Sequence, residues 1–476
     1  MAKSHWTKAE PRGCPLIDLV CFYLDDAVQK VIKNKGAPGI DGITYEQLPN
    51  LLRVHEEKIR QKLKNGTYIP APVRRVDIPK PNGGTRMLGI PTLLDRTIQQ
   101  AIVMTIGDAF EGQFSDKSYG FREGRNCRQA VQRAQEYIKD GNRWVVEMDL
   151  SKFFDRVNHD ILMDRVSRVI DDKAILKLIR RYLNAGIMED GLVSPRLEGV
   201  PQGSPLSPLL SNIMLTDLDR ELEARGLNHV RYADDCNIYV RSEKAAQRVL
   251  TNITKYVEET LKLRVNRDKS GTFRPRDSVF LGYTFSKANC TRIIVAQKSV
   301  KRLWTKLHKI FNTARGTSLG WTIKTITPVL RGWRNYYRPD DRKKYWEEMD
   351  ERIRHHLRKL IWIAWKKPKT RERNLVKLGI DPERAWKSSV NGRGAWWNSG
   401  QSHMNQAIKN DRFVGLSPLY GDSLMKRPLR YRTMGAVREG GETRPPTRFY
   451  CAAKRTFETN AINKTLSILL LPYRKP

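Results

Sequence analysis

Residues 231–240 read RYADDCNIYV. Apolar and polar residues alternate, as they do in a strand. Yet two aspartates, Asp234 and Asp235, stand side by side inside the run. Aspartate is a poor strand former, and adjacent like charges repel. A second acidic strand end lies upstream in VVEMDLSKFFDRVNHD (145–160), where Asp149 sits at the point an apolar strand runs out. If that strand pairs beside a hairpin holding Asp234 and Asp235, three carboxylates meet at one sheet edge. Clustered carboxylates repel unless a hard cation neutralises them, and oxygen ligands suit Mg²⁺. Two such ions about 3.5–4 Å apart are a known device for in-line phosphoryl transfer between nucleotides. Local ion pairing, or aspartates exposed in turns, explains either motif alone but not the two in this order.

The rest of the chain is consistent with a polyanionic partner. Its 476 residues carry 87 Lys+Arg against 51 Asp+Glu, a formal net charge of +36. Residues 1–290 hold 46 basic and 37 acidic side chains, whereas residues 291–476 hold 41 and 14. So uneven a basic block points to nucleic acid. Hydrophobic residues make up 39%, enough for a folded core in two or three domains. The 6 cysteines are scattered without a CxxC pair, which argues against a disulfide scaffold or zinc ribbon and suits a reducing cytosol. No apolar run reaches membrane-spanning length, and no signal peptide is read.

Along the chain, residues 15–33 predict a short amphipathic helix, followed by the turn-rich NKGAPGIDG (34–42). VRRVDIP (73–79) and WVVEMDL (144–150) predict strands. LSPLLSNIMLTDLDREL (206–222) predicts a helix with Ser207 as N-cap and Pro208 as first helical residue. Beyond 296 the pattern is mainly helical and rich in Lys, Arg and Trp. Turn signals dominate after about residue 425, and the basic tail 431–476 is expected to be loosely ordered or partner-dependent.

These blocks, in this order, resemble a bacterial group II intron-encoded reverse transcriptase and maturase. The resemblance rests on YADD, DLSKFFDRVNH, PQGSPLSPLLSNIML, IPKPNGGTRMLGIPTLLDRTIQQAI (78–102), SYGFREGRNCRQA (118–130), FLGYTF (280–285) and RGWRNYY (331–337). It implies an α+β right-hand polymerase over 1–290, with fingers and an antiparallel palm sheet. A helical thumb or maturase domain over 296–380 and a DNA-binding segment over 381–430 follow. Asp149, Asp234 and Asp235 are implied as ligands of two Mg²⁺ ions. Lys80 and Arg86 match fingers positions on the incoming triphosphate; the PNGG turn between them is suited to aiming both inward. Phe154 matches the steric gate against a ribose 2′-hydroxyl. Gln202 and Gly203 match the loop touching template and nucleotide, where glycine permits close backbone approach. Ser204 departs from the glycine more usual at the next position. Lys269 matches a lysine that assists pyrophosphate departure.

In the thumb, Arg331, Arg334 and Arg338 are the expected RNA contacts, with Trp333 and Tyr336 expected to pack. Trp396, Trp397 and His403 are further candidates that chemistry does not separate from packing. The implied partners are group II intron RNA, an RNA template with DNA primer, dNTPs and target DNA. No His-Asn-His nuclease with cysteine pairs is found, so no target-nicking activity is expected. Two other readings stay open: an RNA-binding splicing maturase that no longer polymerises, and a host-recruited reverse transcriptase in repair or phage defence.

Overall fold

The computed structural model describes residues 14–79, 85–189, 192–287 and 291–413. Lys80, Cys290, Cys451, part of the 381–430 segment and the tail 431–476 lie outside the described residues. The chain divides into two units, one reaching Ser278 and one beginning at Val279.

The first unit contains two four-stranded sheets. One has the order β2-β1-β4-β5, from β1 (Val73–Pro79), β2 (Thr85–Ile90), β4 (Ile187–Glu189) and β5 (Leu192–Ser194). β1 and β2 form the expected hairpin, with Ile78 opposite Arg86. The other has the order β6-β7-β3-β8, all antiparallel, from β3 (Trp144–Met148), β6 (Asn228–Tyr232), β7 (Asp235–Val240) and β8 (Gly271–Phe273). From Cys236 to Val240 every residue of β7 is buried. The alternation seen in sequence therefore does not mark a wet face. Both faces are covered, and Asn237 and Tyr239 share the interior with Cys236 and Ile238. On one side the Tyr239 ring meets Tyr137 of helix Cys127–Lys139, with centroids 5.7 Å apart. That helix starts on a capping box from Asn126 and Gln129.

Helix Ser207–Ala224 is buried nearly all round. Its N-cap is Leu206, not Ser207, and Pro208 falls in the first turn. The Ser207 hydroxyl instead donates to the Pro201 carbonyl at 2.7 Å, so the chain entering the helix satisfies it. The helix expected over 15–33 is two helices, Leu16–Phe22 and Leu24–Lys33, broken at Tyr23. The break lets Ile17, Val20 and Cys21 in one, and Ala27, Val28 and Val31 in the other, face the same core.

Among its described residues the second unit pairs β9 (Tyr283–Phe285) with β10 (Ile293–Val295) and is otherwise mainly helical. Helices Gln297–Thr313, Leu319–Tyr336 and Lys343–Ala364 bury Leu307, Ile326, Leu330, Trp346, Leu357 and Trp362. Shorter helices continue to Phe413. Among the described residues no helix is long and apolar enough to cross a membrane.

Candidate active site

The pairing of β3 with β7 sets Met148 opposite Cys236. Asp149 therefore follows one strand end directly, beside the point where Asp235 opens the other. Asp234 lies in the two-residue turn closed by the Tyr232–Asp235 pair. That turn is strained: Ala233, its first central residue, has φ +58°, a conformation usually left to glycine.

Buried groups behind the turn hold it in place. Arg231 is fully buried, and its Nε and Nη2 donate to both oxygens of buried Asp219 at 2.8 and 2.6 Å. Its Nη1 donates to the Ala233 carbonyl at 2.9 Å and to Asn212 Oδ1 at 3.0 Å. Asn212 in turn donates to the Gly120 carbonyl at 2.9 Å. Gly120 packs directly on the turn, where an added Cβ would lie 2.2 Å from the Ala233 nitrogen. A fork with five donors matches this set of acceptors; a lysine does not. Sequence reasoning passed over these residues. The signal was present as Asn212, Thr216 and Asp219, a polar i, i+4, i+7 stripe on an otherwise apolar helix.

Asp149 is held from the other side by residues 266–270. Asn266 donates to Asp149 Oδ2 at 2.9 Å, the Ser270 hydroxyl accepts from the Asp149 N–H at 3.0 Å, and Lys269 Nζ stands 3.5 Å from Oδ2. Burial raises the Asp234 carboxyl above the ordinary range, as does Asp149, while Arg86 and Lys269 oppose the rise. Asp235 is reachable by solvent, yet the protein crowded around it removes much of its hydration. That desolvation, with Asp234, Asp149 and Glu147, pushes its pKa up to about 7. Three oxygen-donor carboxylates in such mutual repulsion have the chemistry of a hard-cation site. Among the described residues no three His, Cys, Asp or Glu side chains are already gathered as a metal cluster. The donor set fits a divalent ion, with Asp149 engaged by Asn266 and Lys269.

The remaining candidates fall in both units. Arg86 is exposed on β2 and acts electrostatically on Asp234. Phe154 packs edge-on against Phe153, with centroids 5.3 Å apart, and touches the core. It also lines a recess of about 220 Å³ with Gln202, Met87 and Gly89. The Gln202 carbonyl accepts from the Gly89 N–H at 3.0 Å, and Gly203, at φ +109°, lies flush with β2. The Ser204 hydroxyl is satisfied by Gln99. In the second unit Arg331 and Arg338 are exposed, whereas the Arg334 guanidinium lies 4.7 Å from the Trp346 ring centroid. Trp333 and Tyr336 pack among aromatic rings, as expected. His403 is buried near Trp362, while Trp396 and Trp397 are partly exposed.

Comparison with known proteins gives the family. The family described as reverse transcriptase (RNA-dependent DNA polymerase) matches residues 78–285, and the group II intron maturase-specific domain matches residues 300–379. Protein YkfC of Escherichia coli is 36% identical over 357 residues, covering 65% of this chain and 91% of YkfC. The group II intron-encoded protein LtrA of Lactococcus lactis subsp. cremoris is 39% identical over 195 residues, which is 41% of this chain and 32% of LtrA. Reverse transcriptases depend on divalent metal. The chain belongs to the group II intron-type reverse transcriptases with a maturase domain, and is an RNA-directed DNA polymerase.

Proposed function

We propose that Asp149, Asp234 and Asp235 are the metal ligands of this polymerase and bind two Mg²⁺ ions. The observation that carries this is the β3–β7 register, with Met148 opposite Cys236 at the acidic strand ends. When bound there, the ions would activate a primer 3′-hydroxyl and neutralise the pyrophosphate leaving group. The chain's own residues do the rest. Arg86 and Lys80 clamp the triphosphate of the incoming dNTP, and Lys269 meets the departing pyrophosphate. Phe154 packs under the sugar, where a 2′-hydroxyl would clash. The Gln202–Gly203 backbone, flat against β2, guides the templating base.

The partners are an RNA template with a DNA primer, dNTPs, and a group II intron RNA whose fold the protein supports in the bacterial cytoplasm. Target DNA is the substrate of the intron's mobility. Arg331 and Arg338 contact RNA phosphate from the helical unit. The test uses an annealed poly-rA/oligo-dT template with dTTP and Mg²⁺. Asp234→Asn should lower incorporation by about 10³-fold or more with an unchanged melting temperature. Wild-type rates in both Asp234→Asn and Asp149→Asn would refute the assignment.

A further inference from the structure

Helices Gln297–Thr313 and Lys343–Ala364 leave between them a cavity of about 170 Å³. It is smaller than the roughly 300–1,000 Å³ of pockets for drug-sized ligands. Its size suits one flat ring rather than a larger cofactor. Leu360 and Ile363 supply an apolar lining, and the Phe311 and His356 rings lie parallel, 4.7 Å apart at 6°. Asn312, Arg315, Lys359 and His308 complete the wall.

His356 sets this cavity apart from an ordinary gap between helices. It is 8% exposed and lines the cavity, and among the described residues no hydrogen bond engages its ring nitrogens. The ring nitrogens are reachable from the cavity, so they can bond to whatever fills it. Burial, with neighbouring His308, Lys359 and Arg352, pushes its pKa down to about 4. The ring is therefore neutral near pH 7 and presents one donor and one acceptor.

The chemistry narrows the occupant. A metal cation is disfavoured beside Arg315 and Lys359. A free phosphate would leave the aromatic stack and the aliphatic lining unused. An apolar ligand would leave the cations and the His356 nitrogens unused. A nucleotide uses all of them: a flat ring to fill the aromatic and aliphatic lining, base edges to hydrogen-bond, and a phosphate for the cations. Unpaired RNA bases are recognised by this combination, histidine faces included. We propose that this cavity receives a single unpaired nucleotide, bulged or looped out of a bound RNA, with its phosphate on Arg315 and Lys359. This rests on the reading that the helical unit binds RNA.

The test is fluorescence anisotropy with the full chain and two labelled RNA hairpins, one fully paired and one carrying a single-nucleotide bulge. Wild-type protein should prefer the bulged hairpin by about tenfold, the scale of one stacked base. A 2-aminopurine at the bulge should lose fluorescence on binding. Asn312 and Arg315 are exposed, so Asn312→Ala and Arg315→Ala leave the helix packing intact. Asn312→Ala should reduce the preference to within about twofold of unity while keeping affinity for the paired hairpin. Arg315→Ala should reduce it too. No preference in the wild type, or an undiminished preference in both variants, would overturn the pocket and leave RNA binding standing. Failure to bind either hairpin would overturn both.

Discussion

The β6–β7 turn of the first unit and the helical core of the second handle buried charge in different ways. Behind the β6–β7 turn, Asp219 and Arg231 are both sealed from solvent and meet as a bidentate pair. Burial alone would raise the Asp219 carboxyl; the charge and hydrogen bonds of Arg231 outweigh it and hold it below the usual range. In the second unit Asp340 is likewise paired, with Arg342 at 2.6 Å, but His356, His403 and Asp350 are driven towards neutrality. Burial pushes His356 and His403 down to about 4 and Asp350 up to about 7. A paired, fully charged network costs desolvation but fixes one geometry, which suits a site where carboxylates must be placed to a fraction of an ångström. Neutral buried groups beneath an exposed basic surface suit a partner that is held by many weak phosphate contacts.

The sharpest way to break the comparison is Arg231→Lys. Lysine keeps the charge opposite Asp219 but cannot also reach Ala233 and Asn212 in fork geometry. If the network is there to place Asp234, kcat should fall by about 10²-fold, the scale of a misplaced reacting group. KM for dTTP should change little. A loss of melting temperature with unchanged kcat would make Arg231 a packing residue only. The next effect is smaller. Phe154→Ala should raise ribonucleotide incorporation relative to dNTP by about tenfold, within the range for one steric contact. Unchanged sugar selection would return Phe154 to the core it already touches.

What was legible in the sequence followed local periodicity. The strands carrying Asp149 and Asp235, and the hairpin leading to Arg86, were readable because their apolar residues and their interrupting charges lie within a few positions. The supports were not readable in this way. Asn266 and Ser270 reach Asp149 from 117 and 121 residues away. Asp219 in TDLDREL looks like the solvated face of a helix until Arg231 is known to lie against it. The break at Tyr23 carries no proline or glycine, and tertiary packing alone demands it. Nor does the spacing of Arg331, Arg334 and Arg338 say which of the three turns inwards.

That last point gives a prediction of intermediate size. Arg331→Glu with Arg338→Glu should weaken RNA binding by about tenfold and lower the slope of log affinity against log salt by about 2, one for each lost phosphate contact. Arg334→Glu should act chiefly on stability, because its guanidinium lies against Trp346. A slope unmoved by the exposed pair would mean that phosphate contact is made elsewhere.

The smallest expected effect concerns His403, and it tests whether the second unit really carries neutral buried groups. His403 is 5% exposed, its Nε2 has no partner among the described residues, and its ring centroid lies 5.6 Å from that of Trp362. Burial first, and then Arg384, depresses its pKa to about 4, against 6.5 for a free side chain. Between these values the unfolded chain binds a proton that the folded chain refuses. The stability due to this group is thus fully present above pH 6.5 and is lost as pH falls through 6.5 towards 4. Asp350 acts with the opposite sign: its raised pKa makes its contribution fall as pH rises from 3.8 towards 7, so the raw profile of the wild type mixes these with the other shifted groups, His356 and Asp235 among them. The difference between wild type and His403→Gln isolates His403, because the other groups are common to both. Relative to wild type, the variant should gain a few degrees of melting temperature on going from pH 7 to pH 4.5. A difference that stays flat across that range would mean that His403 takes up its proton in the folded state, and the contrast between the paired charges behind the turn and the neutral groups of the helical unit would lose one of its two histidines.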